Sequence, residues 1–308
     1  MTTYWAEYAW LPGGVASGVR FTVTAGRFTG VQARQKAQDG DQLLRGVALP
    51  GFANAHSHAF HRALRGRTHA DGGNFWSWRE QMYAVTRRLN PDTYLALARA
   101  VFCEMALAGF TVVGEFHYVH HDEAGNPYSD PNAMGRALVR AARDAGIRLT
   151  LLDTCYLSGG LSADGHLPLD DVQRRFTDGD VDGWASRVAG LADDETTRIG
   201  AAVHSVRAVP REQLAPFAEA AAGRPVHVHL SEQPAENNAA QMFYGRTPTE
   251  LLDEAGLLGR ATTAVHATHL SDADLKALGG SHTAACFCPT TERDLADGIG
   301  PARALHDA

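Results

Sequence analysis

The sequence predicts an α/β barrel of the (β/α)8 kind with one strand unaccounted for, and a small β-sheet region ahead of it. Three observations predict this class. From about residue 49, short apolar runs rich in branched residues alternate with longer amphipathic stretches, the pattern of parallel βαβ units. No glycine-rich phosphate loop follows the first run, which disfavours a doubly wound open sheet. Histidines gather at the C-terminal ends of the runs, where a barrel of this kind keeps its chemistry.

Residues 1–48 come first, as a small β-domain. "YAWLPGG", "GVRFTVTAG" and "GRFTGVQA" alternate apolar residues between glycine turns. The barrel occupies 49–308. Its strands are predicted in "VALPGFANAH", "FTVVGEFHYV", "IRLTLLDTCY", "RIGAAVHSV", "PVHVHLSE", "TTAVHATHL" and "HTAACFCPT". Helices are predicted over 91–109, 130–146, 211–223 and 247–259; several open on Pro, Asp or Thr and close on Gly, which are cap signals. "GPARALHDA" reads as the helix after strand seven. The expectation is a chain that stops about one βα unit short of closing its barrel.

Bulk properties narrow the function classes. The 308 residues carry a net charge of −7 and no Lys/Arg-rich run, which argues against a nucleic-acid surface. "MTTYWAEYAWLPGG" has neither the basic nor the apolar region of a signal peptide. No apolar run approaches the roughly 20 residues of a membrane span, so a cytoplasmic protein is expected. The four cysteines give no disulfide framework and no CxxC knuckle. Cys286 and Cys288 alternate in an apolar run and read as buried strand cysteines.

His56 and His58 end strand one. Side chains two apart on a strand point the same way, so both imidazoles can reach one metal ion, and imidazole suits zinc and other first-row metals. His229 in "HVHLSE" supplies a third nitrogen, with His227 supporting. Glu232 follows three residues on, where a carboxylate can shuttle protons without binding the metal. His266 ends strand six and is placed to polarise water or hold a substrate; His269 belongs to the following loop. His117 and His204 end strands two and four.

"LPGFANAHSHAF", "HVHLSEQ" and "AVHATHL", in that order, resemble the amidohydrolase superfamily with its metal-dependent distorted barrel. "HSHAFHRALRG", "NFWSWREQMY", "GEFHYVHHD", "VHSVRAV" and "CPTTERDLADGIGPA" narrow the resemblance to its deiminases of histidine degradation, which act on a formimidoyl dicarboxylate. The resemblance runs over the whole chain. It implies one divalent metal, zinc or else iron, on His56, His58 and His229. It also implies proton transfer by Glu232, an active-site role for His266, and substrate contacts from His61, Arg79, Tyr118, His204 and Arg207. Two arginines suit two carboxylates, because a guanidinium fork matches a carboxylate. Phe75, Trp76, Trp78 and Tyr83 around Arg79 read as a packed lid. The implied partners are a small dicarboxylate substrate and a second copy in a homodimer, with no nucleic acid and no membrane.

The resemblance also implies an aspartate at the end of strand eight, in a "GSDSH"-like segment that this sequence lacks. Asp294 and Asp297, in the strand-seven loop, are not its equivalent, and the C-terminal part of a composite β-sandwich is missing with it. The chain therefore reads as C-terminally truncated. The competing expectations are a deaminase of guanine-, cytosine- or triazine-like rings, and an inactive metal-binding remnant.

Overall fold

The computed structural model describes residues 1–68 and 75–308, apart from the side chains of Phe75 and Trp76. It comprises two compact units, Met1–Phe52 and Ala53–Ala308. In the first, β1 (Thr2–Leu11), β2 (Gly14–Thr24), β3 (Arg27–Gln32) and β4 (Gln42–Ala48) form one sheet in the order β3-β2-β1-β4. β1 and β2 are antiparallel with Leu11 opposite Gly14, so Pro12 and Gly13 make a two-residue hairpin turn. β4 joins β1 in parallel.

The second unit holds the barrel. Its strand β5 (Phe52–Ser57) begins at the division, after the irregular segment Leu49-Pro50-Gly51. In chain order follow α1 (Phe75–Thr86), α2 (Pro91–Leu107), β6 (Phe110–His117), α3 (Ala133–Ala145), β7 (Arg148–Cys155) and a short antiparallel pair, β8 (Gly160–Ser162) and β9 (Gly165–Leu167). Then come α4 (Val181–Val188), β10 (Thr197–Val203), α5 (Arg211–Ala220), β11 (Val226–Leu230), α6 (Pro234–Tyr244), α7 (Pro248–Glu254), β12 (Thr262–His266), α8 (Asp272–Ser281), β13 (Ala284–Cys286), α9 (Pro289–Asp294) and α10 (Ala302–Asp307).

Seven strands pair in the order β5-β6-β7-β10-β11-β12-β13. Every neighbouring pair from β6 to β13 is parallel. Adjacent strands are consecutive in the chain apart from the β8–β9 excursion, as in a wound barrel. β5 and β13 are its two edges. β6 approaches β5 closely: a Cβ on Gly114 would sit 2.6 Å from the Ala55 carbonyl oxygen, so only glycine fits there.

Local chemistry sets the helices. α2 starts on an Asn90–Thr93 capping box with Pro91 behind it, and α7 on a Thr247–Glu250 box with Pro248. α3 stops at Gly146, whose φ of 75° is left-handed. α7 is shorter than the predicted 247–259, because the Gly256 and Gly259 turns follow it. α6 is a helix the periodicity did not announce. Strand residues Leu149, Leu151, Leu152, Val203, Val228 and Leu230 join Tyr94, Phe102, Met134 and Leu138 of the helices in one core, each such side chain contributing about 1.5–3 kcal/mol by burial. Among the described residues, no helix is long and apolar enough to cross a membrane.

Candidate active site

The C-terminal ends of β5, β6, β10, β11 and β12 open on one cavity of about 940 Å³. At its base the Nε2 atoms of His56, His58 and His229 form a triangle with sides of 3.1, 3.2 and 3.2 Å. His56 lies on β5, His58 caps the 3-10 turn Ala59–Leu64, and His229 lies on β11. His58 Nδ1 donates to the Phe116 carbonyl oxygen and His229 Nδ1 to the His204 carbonyl oxygen, each at 2.9 Å. A carbonyl carries no proton, so in these neutral rings the Nδ1 atom must carry it and Nε2 presents a bare lone pair. Burial, first, and the neighbouring imidazoles hold all three rings well below the usual histidine pKa, His58 down to about 3.

Lone pairs that meet with no proton between them repel unless a cation lies among them. Donor spacings near 3.2 Å match a tetrahedral ion about 2.0–2.1 Å from each nitrogen. The carbonyl partners behind two of the rings are the support such ligands need. These residues fit a metal ion.

Glu232 and His266 stand beside the triangle. Glu232 Oε1 lies 3.5 Å from His266 Nε2, and His266 Nδ1 lies 3.2 Å from Glu292 Oε1. Burial pushes the imidazole pKa down, yet Glu232, Glu292 and Asp297 outweigh it and hold His266 above its ordinary value. The three carboxylates thus favour the protonated form of the ring. The backbone is unusual here: Ser231, His266 and Ala267 have φ of 50°, 69° and 48°, left-handed conformations that cost energy and concentrate at working sites. They allow the Ala267 amide to donate to the Leu230 carbonyl at 2.9 Å and the His269 amide to the Ser231 carbonyl at 3.0 Å.

The remaining predicted residues line the wall. His61 Nε2 lies 3.0 Å from the Tyr118 hydroxyl, and the Tyr118 ring meets those of His58 and His204 edge-on. Arg79, on α1, donates from Nε to the Tyr83 hydroxyl at 2.8 Å and lies over the Tyr83 ring. Trp78 packs on His61. The Phe75 and Trp76 side chains of the expected lid lie outside the described residues. Arg207 Nη2 is 3.4 Å from Glu232 Oε2, and its Nε is 3.3 Å from Glu236 Oε2. Burial lowers the guanidinium's proton affinity, but Glu236 and Glu232 more than restore it.

Not every histidine converges. β6 turns Phe116 inward, 4.2 Å from the His229 ring, and sends His117 outward against Tyr94 and His120. His117, His120 and Asp153 group there as potential ligands, but Arg187 already engages both Asp153 oxygens at 2.9 and 3.0 Å. His227 stacks beneath His56 at 6.4 Å, and His269 binds the Asp297 carbonyl. Cys286 and Cys288 are half-buried in the cavity wall rather than strand-core cysteines, because β13 ends at Cys286. Sequence reasoning missed Glu292, Glu236 and Tyr156; Tyr156 packs on His204 with ring centres 4.5 Å apart and takes a hydrogen bond from Gln173.

A parallel barrel with an imidazole triangle at its mouth and a carboxylate–imidazole pair beside it defines a metal-dependent hydrolase. The chain belongs to the amidohydrolase family, whose model matches residues 47–308 and whose members bind a divalent metal. Among curated proteins it is 39% identical to formimidoylglutamate deiminase of Pseudomonas aeruginosa, over 98% of this chain and 67% of that protein. Among solved structures, an amidohydrolase from Brucella melitensis superposes with a TM-score of 0.90 at 33% identity, covering 100% of this chain and 69% of that one. The atrazine chlorohydrolase of Arthrobacter aurescens TC1, solved with zinc, shares the fold at a TM-score of 0.83 and 20% identity, over 100% of this chain and 70% of that one. The chain thus spans about two thirds of the length of these relatives.

Proposed function

We propose that this barrel hydrolyses the C=N bond of N-formimidoyl-L-glutamate, giving N-formyl-L-glutamate and ammonia, with one divalent metal, zinc, on His56, His58 and His229. The observation that carries the reading is the meeting of three groups in one cavity: the imidazole triangle, the Glu232–His266 pair, and the two guanidiniums of Arg79 and Arg207. The likeness to the Pseudomonas aeruginosa deiminase supports the same substrate.

A divalent cation, when bound, supplies Lewis acidity and a water of pKa near about 7. The chain's residues do the rest. His266, set between Glu292 at Nδ1 and Glu232 at Nε2, orients the attacking oxygen. Glu232 is the group that carries protons from water to the departing nitrogen. Water adds to the formimidoyl carbon as its first proton passes through Glu232 to the terminal nitrogen; the remaining hydroxyl proton follows the same path as the C–N bond breaks, so ammonia leaves and the formyl carbonyl forms. Arg79 and Arg207 bind the two carboxylates, and Tyr118, His61 and His204 wall the formimidoyl end. A cytoplasmic location and a homodimer belong to the same reading; the four unpaired cysteines agree with a reducing compartment.

Ammonia release from N-formimidoyl-L-glutamate by the metal-loaded chain tests the reading. Brisk release from a ring amine or another amidine, with none from this substrate, would overturn it.

A further inference from the structure

Glu236 has no part in the mechanism above, yet it is among the most buried carboxylates of the chain, at 1% exposure in the first turn of α6. Its Oε1 accepts from the Ser231 amide at 3.4 Å, and its Oε2 lies 3.3 Å from Arg207 Nε. Arg207 reaches Glu232 with its other edge, Nη2 to Oε2 at 3.4 Å. One guanidinium is therefore bracketed by a carboxylate behind it and a carboxylate at the reaction centre. The Arg207 side chain keeps 21% of its surface exposed while that of Glu236 has none.

We propose that Glu236 is a positioning and specificity-determining residue. Its charge draws the Nε side of Arg207 towards α6 so that the terminal nitrogens face the cavity as a carboxylate receptor. The inference rests on the reading that the substrate carries a carboxylate there. A helix first turn favours a carboxylate by only about 0.3–1 kcal/mol, whereas burying one costs several kcal/mol. A glutamine would serve the Ser231 amide equally well through its Oε1 and avoid that cost. The group that needs the negative charge is Arg207. The Nε–Oε2 approach is an ion pair without hydrogen-bond alignment, so Glu236 acts on the planar guanidinium through its charge, from the side opposite Glu232. An incoming substrate carboxylate replaces Glu232 at Nη2, one carboxylate for another, and the cation is never left without a counter-charge.

The experiment compares the metal-loaded wild-type chain with Glu236→Gln by calorimetric titration of N-formyl-L-glutamate and of its neutral diamide, with KM and kcat measured on N-formimidoyl-L-glutamate. Glu236→Gln should weaken N-formyl-L-glutamate about tenfold and raise KM with kcat little changed, leaving the diamide unaffected. Glu236→Asp, which keeps the charge, should recover part of the loss and serves if the glutamine variant does not fold. In an Arg207→Met background, Glu236→Gln should add no further loss. Equal affinity of wild type and Glu236→Gln for N-formyl-L-glutamate, or equal losses for both ligands, overturns the proposal. A wild-type chain that binds the diamide as well as the dicarboxylate instead overturns the substrate reading, and the proposal with it.

Discussion

Replacing Arg187 by Met should cost about 3–5 kcal/mol of stability, the scale for removing one partner of a buried ion pair. Arg187 on α4 has a side chain only 5% exposed and lies between Asp153, fully buried on β7, and Asp178, 8% exposed. It donates to Asp153 at 2.9 and 3.0 Å and to Asp178 at 2.8 Å from both Nη2 and Nε. Methionine keeps much of the apolar stem's packing, so the loss isolates the charge. Trp184 Nε1, 3.1 Å from Asp153, and His121, 3.1 Å from Asp178, would be left to solvate two anions, which places the loss within that range rather than above it. At about 2–4 °C per kcal/mol for a unit of this size, the midpoint should fall by roughly 6–20 °C. The pH dependence checks the cause. Burial alone would raise both aspartates, but Arg187 holds Asp153 below its ordinary 3.8, and His121 and Arg187 do the same for Asp178. Their contribution is thus present above pH 3.8 and is lost as pH falls through the depressed folded values. In the variant burial wins, both carboxyls take up protons more readily, and the penalty should be largest near pH 7 and shrink towards pH 4–5. Thermal melts of both proteins across that range measure it. A loss below about 1 kcal/mol, or a gap that does not change with pH, would refute the argument.

Metal analysis should separate the two histidine groups: His58→Ala and His229→Ala should lose most bound metal, whereas His120→Ala should keep it, since Arg187 already occupies Asp153. Glu232→Gln should lower kcat by about 10²–10⁴-fold while KM moves far less; an equal fall in binding would remove the proton-transfer role. Glu115 is fully buried, and burial raises its pKa from 4.5 to about 8 against the hydrogen bond from the Ala59 amide. A raised folded value means stability that is full below pH 4.5 and declines as pH rises through about 8. Glu115→Gln should flatten that decline in a melt series, and an unchanged slope would assign it to another group.

Much of the candidate site was legible because its residues sit at the ends of apolar runs. His56, His58, His229 and His266 each follow such a run, and the winding of a parallel sheet brings those ends to one rim. His117 shows where that logic stops. Both faces of a barrel strand are buried, one in the interior and one under helices, and β6 buries Glu115, Phe116 and His117 alike, so its alternation carries no inward or outward label. Only the folded chain shows Phe116 against the triangle, 4.2 Å from the His229 ring. α6 was hidden by the polar "PAENNAAQ"; Pro234 at its start and left-handed Gly245 at its end make it a helix. Glu236 and Glu292 act through partners 29 and 26 positions away, a relation that no local spacing records.

The amide rungs from Ala267 to Leu230 and from His269 to Ser231 lash the end of β11, just before Glu232, to the segment that follows His266 at the end of β12. Glu232 and His266 are therefore tied through the same two backbone hydrogen bonds. In hydrogen exchange, those two amides should behave as one cooperative unit, slow while the segments are engaged and fast in a single step when they part. They offer a sentinel for the integrity of the site that requires neither metal nor substrate.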